Sequence, residues 1–323
     1  MHITSRVALT IAIGVGAAAP ASAQRLPFER SMDVTGVAKL DVSTIRGKIE
    51  VTAGDTGRVT ITGAVTVRVG FDVPANAVEI AHRIADHPPV EREGNTIRLR
   101  PPADATDRRA VTVNYLVRVP PNTEVVTQSD SGATSVSGVK GPINVRTQSG
   151  AIDLGRLGGA ATVTTGSGAV TVDGVAGPLT VTTSSSAFTG RGLAGSLRSD
   201  TGSGAVDATL TGDGDVEVKT GSSAIRLTGV RGALTTSTQS GRVIVQGAPT
   251  RPWTATTGSS SVEFSVTGAG FNVDASSRSG SIKIEGSPVQ GSVSKDKVIG
   301  TVRGGGPVLR VTTGSGAIRI KVG

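Results

Sequence analysis

The chain has 323 residues, of which 45 are glycine, while Phe, Tyr and Trp number only 5, 1 and 1. A globular enzyme of this length usually fills its core with more aromatic side chains, so the composition disfavours that class. Apolar residues still make up 37% of the chain, which excludes a disordered polymer. The net charge of +8 favours anionic partners, although Lys and Arg are scattered among Asp and Glu as on an ordinary solvated surface.

Residues 1–23 have the pattern of a secretory signal peptide. A basic start containing Arg6 precedes an apolar run from Val7 to Ala19, and Ala21 and Ala23 occupy the small-residue positions of a cleavage site before Gln24. The apolar run is too short to span a bilayer, and no later run reaches that length. The chain has no cysteine, which excludes both disulfides and a lipid anchor on cysteine. The sequence therefore predicts export to the periplasm, the cell surface or the medium.

Residues 24–129 read as an irregular β region that caps a more regular array. The segment from Lys39 to Val51 predicts strand, turn and strand, with the side chains of Leu40, Val42, Ile49 and Val51 directed inward. Further strands are predicted over 59–71, 96–100 and 111–121. The polar segments HRIADHPPVEREGN and RPPADATDRR contain proline and are predicted as loops.

From Asp130 to the end, residues 130–323 divide into rows of about eighteen residues. The turn serine of each row recurs after 18, 18, 18, 18, 19, 18, 19, 20 and 36 residues. The last interval contains a row without the Ser-Gly signature, DKVIGTVRGGGPVLRVTT. A period sustained this long indicates stacked units rather than one globular core. The turn serines are Ser131, Ser149, Ser167, Ser185, Ser203, Ser222, Ser240, Ser259, Ser279 and Ser315.

Within each row, alternating residues predict two strands that each bury one face. The inward positions of the strand after Ser-Gly form two columns. The first contains Ile152, Val170, Phe188, Val206, Ile225, Val243, Val262, Ile282 and Ile318, and the second contains Leu154, Val172, Ala208, Leu227, Val245, Phe264, Ile284 and Ile320. The other strand supplies Ile143, Ala161, Leu179, Leu197, Val216, Leu234, Trp253, Val273 and Leu309.

The glycine of the Ser-Gly turn is predicted to adopt a positive φ at a tight corner. Three rows carry serine in that slot, at Ser186, Ser223 and Ser260, so the corner does not strictly require glycine. The turn serines and neighbouring threonines are expected to hydrogen-bond to the backbone and between rows.

Two all-β architectures fit this period: a parallel β-helix-like solenoid and a β-sandwich of repeated hairpins. Recurrence of like residues at one row position favours the solenoid, because each residue then stacks on its counterpart about 4.8 Å away. The crossover rule predicts that parallel coils wind right-handed.

These rows resemble a known family. The signal peptide, the opening row GKIEV, the strand VRVPPNT and the repeated SG-A-I/V-x-V rows are similar to the adhesin-like β-strand-repeat family of exported bacterial proteins, which is related to the head GIN domain. The ending GGGPVLRVTTGSGAIRI is similar to that family's C-terminal signature. The resemblance covers roughly residues 28–323 and implies a β-helix-like fold and an envelope location. It implies no catalytic residues.

The candidate sites for chemistry in the sequence are weak. His82, Asp86 and His87 lack a further metal ligand in sequence, and the turn with Asp213 and Asp215 lacks the spacing of a calcium loop. The S-x-x-K matches, residues 137–140 and 292–295, fall in strand and turn contexts rather than on a helix. We therefore predict no catalytic, cofactor-binding or metal-binding residues.

The alternative is a polysaccharide-acting β-helix enzyme, which needs charged residues of one kind gathered on an outer face. The outward positions mix acidic, basic and neutral residues, and Trp253 falls in an inward column, where it fills the core. The sequence thus favours a non-enzymatic exported envelope or surface protein, an adhesin or a structural scaffold that presents a long β face. Its expected partner is an envelope component, an anionic polysaccharide or a protein, whereas export and the lack of a basic stripe disfavour nucleic acid. No cofactor is predicted.

Overall fold

The computed structural model describes residues 25–323, which form two long β-sheets around one continuous apolar core, together with two short helices. The predicted signal peptide lies outside these residues. We call the 15-stranded sheet the front sheet and the 14-stranded sheet the back sheet. Neither helix within 25–323 has the length and apolar character that crossing a membrane would require.

The N-terminal region combines strands of both sheets with the two helices. β1 pairs with β4, and β4 with β7, in antiparallel orientation, whereas β2 and β3 pair in parallel with strands of the regular rows. The elements are β1 (Arg25–Asp33), β2 (Lys39–Thr44), β3 (Ile49–Ala53), β4 (Arg58–Val67), α1 (Ala77–Asp86), β5 (Val90–Glu93), β6 (Thr96–Leu99), α2 (Ala105–Ala110) and β7 (Val111–Val119).

Each regular row then contributes one front strand and one back strand. The front strands are β8 (Glu124–Ser129), β10 (Ile143–Thr147), β12 (Ala161–Thr165), β14 (Leu179–Thr183), β16 (Leu197–Thr201), β18 (Val216–Thr220), β20 (Leu234–Thr238), β22 (Trp253–Thr257), β24 (Phe271–Ser277) and β28 (Val308–Thr313). The back strands are β9 (Thr134–Ser137), β11 (Ile152–Leu157), β13 (Val170–Val175), β15 (Phe188–Leu193), β17 (Val206–Leu210), β19 (Ile225–Val230), β21 (Val243–Gly247), β23 (Val262–Val266), β25 (Ile282–Glu285) and β29 (Ile318–Val322). A hairpin of β26 (Val289–Val293) and β27 (Lys297–Val302) joins β25 to β28.

The stacking of the rows confirms the parallel solenoid and not the sandwich of hairpins. Val170 pairs with Ile152 on one side and Phe188 on the other, in parallel and in register. Its side chain is 1% exposed, while the neighbouring Thr171 faces solvent. The predicted inward columns are buried in this way throughout, except that Ile282 and Ile284 on β25 are only half-buried. The right-handed winding stays a prediction of the crossover rule.

Trp253 fills the core, as its place in the inward column predicts. Its side chain is fully buried and packs edge-on against Phe264, with 5.6 Å between ring centroids. The indole N–H donates to the backbone carbonyl of Gly232 at 3.0 Å, which satisfies its one polar group. Trp253 therefore stabilises the interior and is not available to stack on a sugar.

The order of rows at the C-terminal end differs from the predicted sequential stack. β28 lies between β22 and β24, and β29 lies between β23 and β25, so Ile318 sits between Val262 and Ile282. The row that lacks Ser-Gly is not an ordinary coil either. Its first half forms β27, which runs antiparallel to β24 and returns the chain so that β28 can insert.

The N-terminal end has the same interleaved arrangement. The row of β2 and β3 lies between the row of β8 and β9 and the strands β6 and β7, which come later in the chain. Leu40, Val42, Ile49 and Val51 are buried, as the sequence predicts. β4 ends at Val67, before the exposed Phe71 at which the predicted strand ended.

The two segments predicted as loops, residues 82–95 and 100–109, overlap the two helices of the described chain. α1 buries Ile80, Ala81 and Ile84 on one face, a spacing of three to four residues that places them in a single stripe. α2 begins after Asp104, whose carboxylate accepts from the backbone N–H groups of Thr106 and Asp107. The prediction of loops was therefore wrong for residues 82–86 and 105–109, because the prolines flank these helices rather than interrupt them.

The glycines of the Ser-Gly corners are required by packing, not by a positive φ. None of the predicted corner glycines has a positive φ. A Cβ built on Gly168 would instead lie 1.8 Å from the carbonyl oxygen of Gly150 in the preceding row, and Gly204 and Gly241 face the same obstacle. Where serine occupies the slot, the hydroxyl of Ser260 donates to the carbonyl of Ser240 at 2.7 Å. The corner therefore adapts locally to serine.

A buried threonine or serine at the end of nearly every front strand holds its corner. Thr147 and Thr165 accept, through Oγ1, from the backbone N–H groups of Gly150 and Gly168 at 3.0 Å. Equivalent side chains lie along the whole stack and are all buried: Thr44, Ser129, Thr183, Thr201, Thr220, Thr238, Thr257, Ser277 and Thr313. The predicted hydrogen bonds between hydroxyl groups and the corner backbone therefore exist. They are made by the residue three positions before the glycine and not by the turn serine.

A second bend forms at the end of the back strands, where the chain turns toward the front sheet. Gly138, Gly174 and Gly192 have φ values of 74°, 78° and 62° at equivalent row positions. Arg156 occupies the same position in its own row with φ of 52°, although a side chain disfavours this region. This bend is where the rows do require left-handed backbone.

Candidate interaction surfaces

The histidines singled out in the sequence lie on and after α1, not in a loop. His82 belongs to the helix, and His87 follows its last residue, Asp86. Across residues 25–323, no group of three or more His, Asp or Glu side chains comes together as a metal site would require.

Asp213 and Asp215 lie at a corner between rows and face arginines of later rows. Asp215 approaches Arg251 at 2.8 Å, and Asp213 approaches Arg231 at 3.7 Å. The Asp215 carboxylate also accepts from the backbone N–H of Ala233 at 2.9 Å. The two aspartates therefore link their row to the next row and to the one after it by pairing with cations.

The two S-x-x-K matches lie in the strand and turn contexts that the sequence predicts. Ser137 ends β9 and Ser292 lies in β26, while Lys140 and Lys295 lie in the following turns. Among the bonds of the described residues, none joins either serine to its lysine. Neither pair is arranged as an activated nucleophile.

The outer surface of the front sheet is rich in hydroxyl groups. Strands β12, β14, β20 and β22 each direct two hydroxyl side chains outward, and these strands carry no charge on that side. We call the following residues the hydroxyl face: Thr162, Thr164, Thr180, Thr182, Thr235, Ser237, Thr254 and Thr256. The turn serines, from Ser131 to Ser315, form an exposed column beside this face, one for each row. The surface thus repeats donors and acceptors at the spacing of parallel strands, about 4.8 Å.

The charges on the front sheet mostly neutralise one another. Glu217 pairs with Arg198 of the adjacent row and with Lys219 at 2.8 Å, and the hydrogen bond from Lys219 lowers the pKa of Glu217. Asp41 and Arg100 form two hydrogen bonds of 2.5 and 2.8 Å, and the bond from Arg100 lowers the pKa of Asp41. The front sheet therefore offers alternating bands of neutral hydroxyls and internally paired ions.

A shallow groove runs along the glycine bend and crosses four rows. Its volume is about 360 Å³, and besides two cations it is lined by glycine and alanine residues together with Leu157 and Val175. Lys140 and Arg156 lie along it, both exposed. Over residues 25–323, neither cation takes part in an ion pair or a side-chain hydrogen bond. We call this feature the cationic groove, and its open cations are suited to an anionic ligand.

Within the N-terminal region lies a small cavity with a volume of about 20 Å³, lined by Thr44, Gly47, Arg108 and Tyr115, among others. Such a space holds about one water molecule. Tyr115 lies beside it, donates from its hydroxyl to the carbonyl of Arg100 at 3.2 Å, and has its pKa raised by burial. This cavity is too small for an organic substrate.

Sequence reasoning predicted the alternation of the faces but missed the cationic groove. Arg156 and Lys140 lie sixteen residues apart in sequence and become neighbours only because the row period is eighteen. One sequence signal could have located the groove. Glycine recurs at 138, 174 and 192, where the chain bends in each row, and arginine replaces it at 156.

Comparison with known proteins gives one family match. The model of the family named Toastrack, DUF4097, matches residues 116–321. A solved structure of a candidate adhesin from Bacteroides fragilis NCTC 9343 aligns with a TM-score of 0.37 and 14% identity, over 92% of this chain and 96% of that one. A candidate cell adhesion protein from Clostridium sporogenes ATCC 15579 aligns with a TM-score of 0.19 and 10% identity, over 92% and 100%. No curated protein matches the chain.

Proposed function

The chain belongs to the Toastrack family, DUF4097, and from that premise we propose that it is an exported envelope or surface protein that acts by binding and catalyses no reaction. In this proposal residues 1–23 direct export, residues 24–129 cap the solenoid, and residues 130–323 present the binding surfaces. The membership agrees with the sequence resemblance to adhesin-like strand-repeat proteins. The proposed partner is an anionic polysaccharide of the envelope.

The observation that carries this proposal is the cationic groove beside flat, repeated surfaces. A polysaccharide is long and repetitive, so a groove that crosses four rows can contact several of its units. Within residues 25–323 the cations of Lys140 and Arg156 have no ion-pair partner, so they can meet carboxylate or phosphate groups without first breaking an ion pair. The glycines that line the groove at positions 138, 158, 174 and 192 carry no side chain that would obstruct a chain of sugars.

Export is tested by the mass of the protein recovered from the periplasm or medium. We expect the chain to begin at Gln24, because the residues before it have the signal-peptide pattern. A matched chain with Ala21 and Ala23 replaced by leucine should stay uncleaved. Recovery of the intact chain with Met1 from the cytoplasm would contradict export.

The binding proposal is tested with polygalacturonate and, as the uncharged control, dextran. Replacing Lys140 and Arg156 together with alanine should weaken binding to polygalacturonate about tenfold, since each exposed charge contact contributes up to about 1 kcal/mol. Arg226→Ala removes an exposed cation from the back sheet and should change binding less than about twofold.

Two outcomes would contradict the proposal. Equal affinity for dextran and polygalacturonate would show that charge does not guide binding. Release of reducing or unsaturated ends from the acidic polymer would instead establish the alternative of a polysaccharide-acting enzyme.

A further inference from the structure

The two sheets of the described chain have four edge strands, and one of them differs from the rest. The front sheet ends at β5 and β26, and the back sheet ends at β1 and β25. Exposed edges invite pairing with other chains, and proteins usually protect them with charge or proline. β5 has the sequence VERE, β25 has IKIE, and β1 contains Pro27 and several charged residues. β26 has the sequence VQGSV and carries neither protection.

β26 also leaves apolar side chains uncovered. Val293 is 63% exposed, although it lies opposite Val298 of β27, which is 1% exposed. Paired residues of antiparallel strands direct their side chains to the same face, so Val293 extends the buried face of the hairpin into solvent. On β27, Ile299 is a further exposed hydrophobic residue, at 46%. An additional strand beside β26 would cover Val293.

The sequence of β26 is complementary to itself when read in the opposite direction. In an antiparallel pair centred on Gly291, Gln290 of one copy lies opposite Ser292 of the other, and Val289 lies opposite Val293. Side chains alternate along a strand, so both valines lie on the same face. The polar residues then meet on the opposite face. We infer that β26 pairs antiparallel with β26 of a second copy of this chain, which joins two solenoids at their C-terminal hairpins.

The strand β26 brings no charged residue into this pairing. Glu285, four residues before β26, belongs to β25 of the back sheet and already approaches Lys283 at 2.8 Å. Lys295 follows β26 and is exposed. The paired strands themselves therefore add no charge to the repulsion between two basic chains.

The N-terminal end is not a suitable occupant of this edge. Its edge strands β1 and β5 carry charged residues, and α1 packs against β1, β4 and β7 at that end. Head-to-tail pairing would set these charges beside the uncharged β26. It would also not close, so that copies would add on one after another into an open filament. Pairing of β26 with itself closes at two copies.

The inference is tested by sedimentation equilibrium of the purified protein. The unmodified chain should sediment as a dimer, and Val293→Lys should sediment as a monomer, because a lysine on the edge opposes strand pairing. Since Val293 is exposed, the variant should keep the circular dichroism spectrum of the unmodified chain. Ser31→Lys adds the same charge to the edge strand β1 and should remain a dimer. A monomeric unmodified chain at about 100 μM, or a Val293→Lys variant that stays dimeric, would overturn the inference.

Cross-linking tests the register, and the absence of cysteine from the chain makes the experiment free of background. Opposite residues of antiparallel strands have Cα atoms about 4.5–5.5 Å apart, within the range of a disulfide. A mixture of Gln290→Cys and Ser292→Cys should therefore form mixed disulfides far more readily than either variant does alone. Equal yields from the single variants and the mixture would contradict pairing centred on Gly291.

Discussion

Val170→Asp is expected to lower the free energy of unfolding by about 3–5 kcal/mol, because it places a carboxylate without a partner in the core. Val170 is 1% exposed and lies between Ile152 and Phe188 in the back sheet. The stack is repetitive, so the damage should begin in the rows next to Val170 before the ends unfold. Urea denaturation, followed by circular dichroism and by hydrogen exchange row by row, measures both effects.

Thr171→Asp is the matched control, one residue away on the outer face. Its side chain faces solvent, so the free energy of unfolding should fall by only about 0.5 kcal/mol. Equal destabilisation by the two substitutions would contradict the burial of one face. A larger loss from Thr171→Asp would show that the inner and outer faces are reversed.

Gly168→Ala should lower the free energy of unfolding by about 3 kcal/mol, almost as much as Val170→Asp, although it adds only one methyl group. The new Cβ would lie 1.8 Å from the carbonyl oxygen of Gly150, and backbone atoms of a stacked row cannot move aside singly. The substitution should therefore separate two rows at the Ser-Gly corner. The same urea denaturation measures the loss.

Gly57→Ala is the control for the methyl group itself. An added Cβ at Gly57 meets no atom of residues 25–323 within 4 Å, and this glycine does not have a positive φ. The change should therefore leave stability within about 0.5 kcal/mol, or raise it slightly by restricting the unfolded chain. If Gly168→Ala left the free energy of unfolding equally unchanged, it would contradict the close approach of the two rows at the corner.

The register of the solenoid could be predicted from sequence because one physical signal repeats in each row. Alternation fixes which side chains face inward, and the constant period fixes which residues stack, as Val170 and Trp253 show. The order of the last rows could not be predicted in this way. The row of β29 carries the same Ser-Gly turn and alternating pattern as most other rows, so its sequence fits equally well at many levels of the stack.

Other features depend on contacts that one segment of sequence does not contain. The need for glycine at Gly168 comes from the carbonyl of another row, which a local torsional argument does not include. In α1, the spacing of Ile80 and Ile84 was a helical signal, but the neighbouring prolines and polar residues favoured a loop. The cationic groove forms only when rows stack, and so it could not be predicted from local residue patterns.

The interleaved C-terminal end sets the order in which the molecule can be completed. β28 and β29 follow the other strands of residues 25–323 in sequence, yet they lie inside the stack rather than at its end. Until they arrive, the row of β22 and β23 and the row of β24 and β25 have no strand between them, and their facing edges lack hydrogen-bond partners. The segment 308–323 thus completes the stack, because its two strands make the two parts of the core continuous. A chain cut short before Val308 keeps every earlier row and still loses that closure.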